Sequence, residues 1–155
     1  MSDDEWRARC VEVYPQVYRA MIAMGAPENE AADAVQDAYE KALRQNRALD
    51  RPEGWLFVVA LRRWRADRWR RRIFGPLSGV RATAQDPALA ERVDLLAAVA
   101  ALPRRQREVL IARYVLGLSQ VEVARQLHIA VGTVAATTSH AARSLRQRLG
   151  ESYGR

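Results

Sequence analysis

Cysteine is almost missing from this chain: Cys10 is the only one in 155 residues. A single thiol excludes a disulfide framework and leaves a thiolate metal cage without its ligands. Lysine is as scarce: Lys41 stands alone among 25 basic residues, the rest being arginine. Aromatics make up 7% of the chain, and no apolar–polar alternation runs long enough to predict a strand. No apolar run is long enough to span a bilayer, and the acidic start Met1-Ser2-Asp3-Asp4-Glu5 lacks the positive region of a signal peptide. A cytoplasmic protein with no membrane contact is expected. There is no Gly-rich phosphate loop and no nucleophile paired with a base, so an enzyme has no motif to rest on. His128 and His140 have neither Cys nor clustered acids beside them. They read as surface residues, and neither a metal nor a cofactor is expected.

What is present is helix-forming. The apolar share is 49%, enough for a core, and Ala, Leu, Arg, Glu and Gln dominate. Charge is unevenly placed. Residues 1–60 hold seven basic and eleven acidic side chains, whereas residues 61–155 hold eighteen basic and seven acidic. The first part is therefore mildly acidic and the second strongly basic, which points to two surfaces with different partners. A pI near 10.4 makes nucleic acid the first candidate for the basic one.

The pattern predicts an all-α fold of two small helical domains joined by a linker. The first helix is expected over Asp4–Met24, with Trp6, Cys10, Val13, Tyr14, Val17, Met21 and Ile22 on one face and Pro15 kinking or interrupting it. Gly25 and Pro27 signal its stop. The second runs over Glu28–Asn46, with a narrow stripe of Val35, Ala38, Tyr39, Ala42 and Leu43. After a turn at Asp50–Gly54, the third starts near Trp55. It is apolar on every side through Leu61, then carries seven Arg against one Asp up to Arg72. With Trp55 as zero at about 100° per residue, Trp69 falls near Val59 and so in the core, while Trp64 points away. Gly75–Gln85 reads as a linker, which divides the chain into 1–73, 74–86 and 87–155. Asp86-Pro87 opens a further helix with Leu89, Val93, Leu96, Val99 and Leu102 as its stripe. Pro103 opens the next, with Val109, Leu110, Ala112 and Tyr114, which stops at Gly117. Ser119-Gln120-Val121-Glu122 is a capping box starting a short helix to Leu127. A last helix begins three residues later and runs to about Leu149.

Two short helices joined by a tight turn, the second rich in Thr and Ser, describe a helix-turn-helix. Its context is sharper. Leu102–Leu110, then Arg113–Ser119, then Val131-Gly132-Thr133-Val134 closely resemble region 4 of sigma-70 family factors. Asp33–Tyr39 resembles region 2.2, and Trp55 onward resembles regions 2.3 and 2.4. The resemblance covers nearly the whole chain in the right order, and is to the small, extracytoplasmic-function group.

The resemblance implies a promoter-recognition subunit of RNA polymerase. Asp33, Gln36, Asp37 and Glu40 would grip the β′ subunit of core polymerase. Arg62, Arg63, Trp64, Arg65, Arg68, Arg71 and Arg72 would open and read the downstream, minus-ten element. Cations for phosphates and a flat side chain for unstacked bases suit that task. In the helix-turn-helix, Arg113, Ser119, Gly132, Thr133, Ala135, Thr137, Thr138, His140 and Arg143 would meet the minus-thirty-five element. The linker would thread near the active-site and RNA-exit region, and the partners of the chain would be the β and β′ subunits of core polymerase and promoter DNA. The chain opens directly on its first helix, so control by a separate anti-sigma factor is expected, and the free protein is expected to be monomeric. In the downstream reader, Arg62-Arg63 stands near where many family members have an Arg-Asn step and Asp67 falls one place from the usual Asp, so individual base assignments do not carry over there. Three features of the helix-turn-helix also depart from the family. No Arg follows Gly132-Thr133-Val134 until Arg143; Ala130 stands where a capping Ser is common, a loss of ~1 kcal/mol; and His128 replaces the usual turn Gly. Upstream contact should then be weak or unusual in specificity. The alternatives are a free-standing helix-turn-helix regulator, which would dimerise on a palindrome, and a degenerate relative that binds polymerase or an anti-sigma factor without reading promoters.

Overall fold

The computed structural model describes residues 2–45, 51–74 and 87–153, of which only the backbone is described for 74, 87–93 and 151–153; the expected linker lies outside the described residues. Every element among them is a helix: α1 (Asp3–Ala23), α2 (Glu28–Gln45), α3 (Pro52–Phe74), α4 (Pro87–Ala100), α5 (Arg104–Tyr114), α6 (Gln120–Leu127) and α7 (Val131–Tyr153).

Local chemistry sets most boundaries. At the start of α1, the Ser2 hydroxyl accepts from the Glu5 N–H at 3.2 Å and the Glu5 carboxylate accepts from the Ser2 N–H at 2.8 Å, a reciprocal capping box that sequence reading missed. At its end, Gly25 takes φ 106°, and its N–H and that of Ala26 reach back to Ile22 and Met21 carbonyls. Only a residue free of Cβ adopts that conformation cheaply. Pro15 does not interrupt α1. Its missing N–H orphans only the carbonyl of Val11, and both residues are exposed, so the loss falls on the solvent side of the helix, where it costs least.

Trp6, Cys10, Val13, Val17, Ala20 and Met21 form the buried face of α1, with Tyr14 38% exposed at its margin. α2 meets α1 and α3 through Ala31, Ala34, Val35, Ala38 and Ala42, whose small side chains allow close approach. Leu43, expected in that stripe, is 47% exposed. The Tyr39 hydroxyl donates to the Cys10 carbonyl, and burial pushes its phenol pKa well up. α3 begins at Pro52, earlier than expected, so Gly54 lies inside it rather than in a turn. Leu56, Phe57, Ala60, Leu61 and Trp64 are its buried residues beyond the first turn.

α5, α6 and α7 pack on one another around Val109, Leu118, Val123, Val134 and Ala141, and α4 leans on α7. Leu96, expected in the α4 stripe, is 40% exposed, and Tyr114 is 67% exposed. α7 runs past the expected end at Leu149 to Tyr153.

The two groups of helices touch. A Cβ on Gly54 would meet Gln126 Cγ at 3.0 Å and Leu118 Cδ1 at 3.1 Å, so the missing side chain lets α3 seat against α6. Beside it, Arg51 donates to Glu122 at 2.7 Å, to buried Glu53 at 2.9 Å and to the Gly117 carbonyl at 3.3 Å. Burial pulls the Arg51 guanidinium pKa down, but these two carboxylates outweigh it and the net shift is upward. Arg65 pairs with buried Glu108 at 2.6 Å, and Arg107 donates to the Met24 carbonyl at 3.1 Å.

Candidate nucleic-acid interface

The helix-turn-helix is built from α6, a three-residue turn and α7. Ser119 caps α6, its hydroxyl accepting from the Glu122 N–H at 3.1 Å. The expected capping box is only half made, because the Glu122 carboxylate turns instead to Arg51 of the other helical group. His128 ends α6 in the left-handed conformation, φ 57° and ψ 45°, where the family's glycine would sit without strain. The Val134 N–H then bonds to the Ala130 carbonyl as α7 starts.

Val134 and Ala141 point α7 into the core. The opposite side presents Gly132, Thr133, Ala136, Ser139 and His140 to solvent, with Ala135, Thr137 and Thr138 half-buried along its edges. The Thr138 hydroxyl donates back to the Val134 carbonyl at 2.7 Å, so it is engaged with its own helix. Arg143 is exposed one turn beyond His140. Arg113 is half-buried and donates to the Leu118 carbonyl at 2.8 Å, bracing the turn before α6. The exposed face is therefore small, neutral and rich in methyls, suited to thymine methyls and poor in phosphate partners.

The Arg-rich end of α3 differs from expectation. Trp64 is 5% exposed and its indole N–H donates to Glu30 of α2 at 3.2 Å, whereas Trp69 is 63% exposed. The expected orientation of the two is thus reversed. The first turns of α3 are enclosed on every side, so Trp55 carries no information about phase. The directions of Leu56, Phe57, Ala60 and Leu61 average close to that of Trp64, about 180° from Trp55. A wheel centred on those four residues would have placed both tryptophans.

The arginines are not one solvated row. Arg63 pairs with Asp37 at 3.0 Å and Asp67 at 3.2 Å, Arg71 pairs with Glu30, and Arg65 is held by Glu108. Burial pulls the Arg65 guanidinium pKa down against the pull of Glu108. Arg68 lies 5.3 Å over the Trp64 ring. Arg62 and Arg72 are exposed with no ion pair among the described residues. Acids from α2 and α5 therefore offset much of the self-repulsion that the sequence alone leaves unexplained.

On α2, Asp33, Gln36, Asp37 and Glu40 share one face and line a shallow hollow of about 340 Å³ with Arg63 and Asp67. Asp67, which the sequence marks only as an acid one place from the family's usual Asp, joins this hollow because of how α3 crosses α2. No group of metal-ligating side chains forms among the described residues. No helix among them is long and apolar enough to cross a membrane.

Residues 92–145, from within α4 into α7, match the family model for sigma-70, region 4. Among solved structures, the sigma factor RpoE in complex with the anti-sigma factor NepR from Bartonella quintana is similar over 94% of this chain and 96% of that one, at 24% identity and a TM-score of 0.75. CnrH, solved in complex with the cytosolic domain of CnrY, is similar over 91% of this chain and 84% of that one, at 26% identity and a TM-score of 0.70. No curated protein matches. The region 4 match falls on the segment that folds as a capped helix, a left-handed turn and a second helix with a solvent-facing N-terminal surface: residues 92–145 form a sigma-70 region 4 domain, and the described helices together are similar in fold to RpoE and CnrH.

Proposed function

We propose that this chain directs core RNA polymerase to promoters and assists DNA opening, with residues 1–73 docking on polymerase and reading the minus-ten element, 74–86 linking, and 87–155 holding the minus-thirty-five element. The observation that carries this reading is the region 4 match on the helix-turn-helix segment. The acidic α2 face formed by Asp33, Gln36, Asp37 and Glu40 supplies the polymerase contact, and Arg62, Arg68 and Arg72 supply cations for phosphates. Trp69 takes the base-stacking role that sequence reading gave to Trp64, because a buried ring has no free face to offer. Arg113 serves the helix-turn-helix by bracing it, not by touching DNA. Catalysis belongs to the polymerase, and the protein works in the cytoplasm as a monomer when free. Since RpoE and CnrH are each solved in complex with a partner, the first an anti-sigma factor, an anti-sigma factor is the regulator proposed here too.

Reading both elements requires a rearrangement. Their positions differ by about 25 base pairs, or ~85 Å of duplex at ~3.4 Å per pair. α3 and α6 are in contact here. That contact, with Arg51–Glu122 and Arg65–Glu108, must break before both elements are held at once.

The neutral face of α7 favours a second reading in one respect: upstream contact is weak, and the downstream reader carries most of the promoter affinity. Co-purification decides between sigma factor and free-standing regulator. The wild-type chain should co-elute with core polymerase, and Asp33→Arg with Asp37→Arg should abolish it. A chain that ignores core polymerase and elutes as a dimer on palindromic DNA would contradict the reading.

A further inference from the structure

Between α3 and the α5–α6 pair lies a cleft of about 430 Å³, which shares Arg62 with the proposed downstream DNA contact but is otherwise lined by residues that the promoter reading leaves unused in this closed arrangement. Arg62 and Arg65 enter it from α3, and Arg104 and Arg105 from α5. Among the described residues Glu108 is the only carboxylate lining the cleft, accepting from Arg65 at 2.6 Å and from Arg104 and Arg105 each at 3.1 Å. Its side chain is 4% exposed, so three guanidinium groups share one enclosed carboxylate while Arg62 has no ion pair among the described residues. The cleft is left with a net charge of +3. Arg104 and Arg105 are largely exposed, and each guanidinium keeps N–H groups beyond those spent on Glu108.

We propose that this cleft is a binding site for a small, multiply charged phosphate anion, seated only while the two groups of helices are in contact. Planar guanidinium forks match phosphate oxygens two bonds at a time, and several converging forks favour a multiply charged group over a single carboxylate. The volume falls within the range of small-molecule sites and is far too small for a duplex. Val58, Leu61 and Leu127 give it an apolar wall, and Gln126 adds an amide, so a base attached to the phosphates has a surface to lie on. Burial already pulls the Arg65 pKa down, and the nearby Arg104 and Arg107 add to that fall, so an added anion relieves an existing imbalance. Because the walls come from α3 on one side and α5–α6 on the other, an occupant ties together the elements that promoter reading must separate. Its occupancy therefore opposes the open form.

The test is calorimetric titration of the full chain with inorganic tripolyphosphate at low ionic strength, with scattering of the bound and free chain. One saturable site is expected, with a radius of gyration no larger than that of the free chain. Arg104→Gln with Arg105→Gln should weaken binding at least about tenfold, while Arg19→Gln, a cation on α1 remote from the cleft, leaves it unchanged. Melting curves of the double variant confirm that it is folded. A nucleoside triphosphate that binds more tightly assigns the apolar wall to a base; equal affinity assigns the site to phosphate alone, and both support the proposal. Absence of a saturable site, equal binding by the double variant, expansion on binding, or displacement by an acidic peptide of equal charge at lower concentration would overturn it. The titration needs neither polymerase nor DNA, so its failure leaves the promoter reading untouched.

Discussion

Replacing Trp64 or Trp69 by alanine removes the same side chain from the same helix, and the structure expects opposite outcomes. Trp64 is 5% exposed, lies under Arg68 and donates to Glu30 of α2. Its truncation leaves a cavity between α2 and α3 and costs about 3–5 kcal/mol. For a chain of this size each kcal/mol lowers Tm by roughly 2–4 °C, so a fall of about 6–20 °C is expected. Trp69 is 63% exposed, and its loss should stay within about 0.5 kcal/mol. The assay is thermal unfolding followed by circular dichroism, paired with binding to single-stranded DNA of minus-ten sequence. Trp69→Ala should leave Tm in place and weaken that binding by about 1–3 kcal/mol, one stacked base. A Trp69→Ala chain that melts as early as Trp64→Ala, or a Trp64→Ala chain that melts like wild type, would refute the assignment of the two rings.

Ser119→Ala should cost ~1 kcal/mol by removing the α6 cap, whereas Glu122→Gln should leave the cap intact, since the Glu122 carboxylate serves Arg51; denaturant titrations separate the two. Arg51→Ala strands the buried Glu53 carboxylate and frees α3 from α6, so a loss of about 3–5 kcal/mol and a larger radius of gyration by scattering are expected together; an unchanged radius would show that the ion pairs do not hold the contact. The Tyr39 phenol has its pKa raised by burial, so its contribution to stability is complete below the ordinary tyrosine pKa of about 10 and is lost as pH rises toward the higher folded value. Alkaline unfolding should therefore move to higher pH in Tyr39→Phe, and an unmoved transition would assign it to other groups.

Much of this was legible in the sequence because it rests on local rules. Three-to-four-residue spacing gave the helices, Gly25 and Gly117 marked two stops, and Ser119 marked the start of α6. The left-handed conformation of His128 is what a residue standing in place of the usual turn Gly adopts. The acidic side of α2 came out on one face because helical spacing alone determines it. What escaped depends on elements distant in the chain. Trp55–Leu61 is apolar all round because α1, α2 and α6 surround it, so periodicity there carries no direction and the two tryptophans were exchanged. Glu30, Asp37 and Glu108 are ordinary acids in sequence, and only the crossing of α2, α3 and α5 makes them partners of the Arg run. Gly54 read as a turn residue because its real constraint, the side chains of Leu118 and Gln126, lies on another helix. The half-made box at Ser119 has the same origin: Glu122 has a competing partner more than seventy positions away along the chain.

The central claim is that this chain confers promoter choice on RNA polymerase. Run-off transcription from a genomic fragment library, with core polymerase in the presence and absence of the protein, tests it most directly. New starts that appear only with the protein and share two spaced upstream motifs are expected, the downstream motif being the more constrained. A library without new starts, from a chain that nonetheless co-purifies with core polymerase, would contradict promoter reading and leave a sigma-like protein with another role.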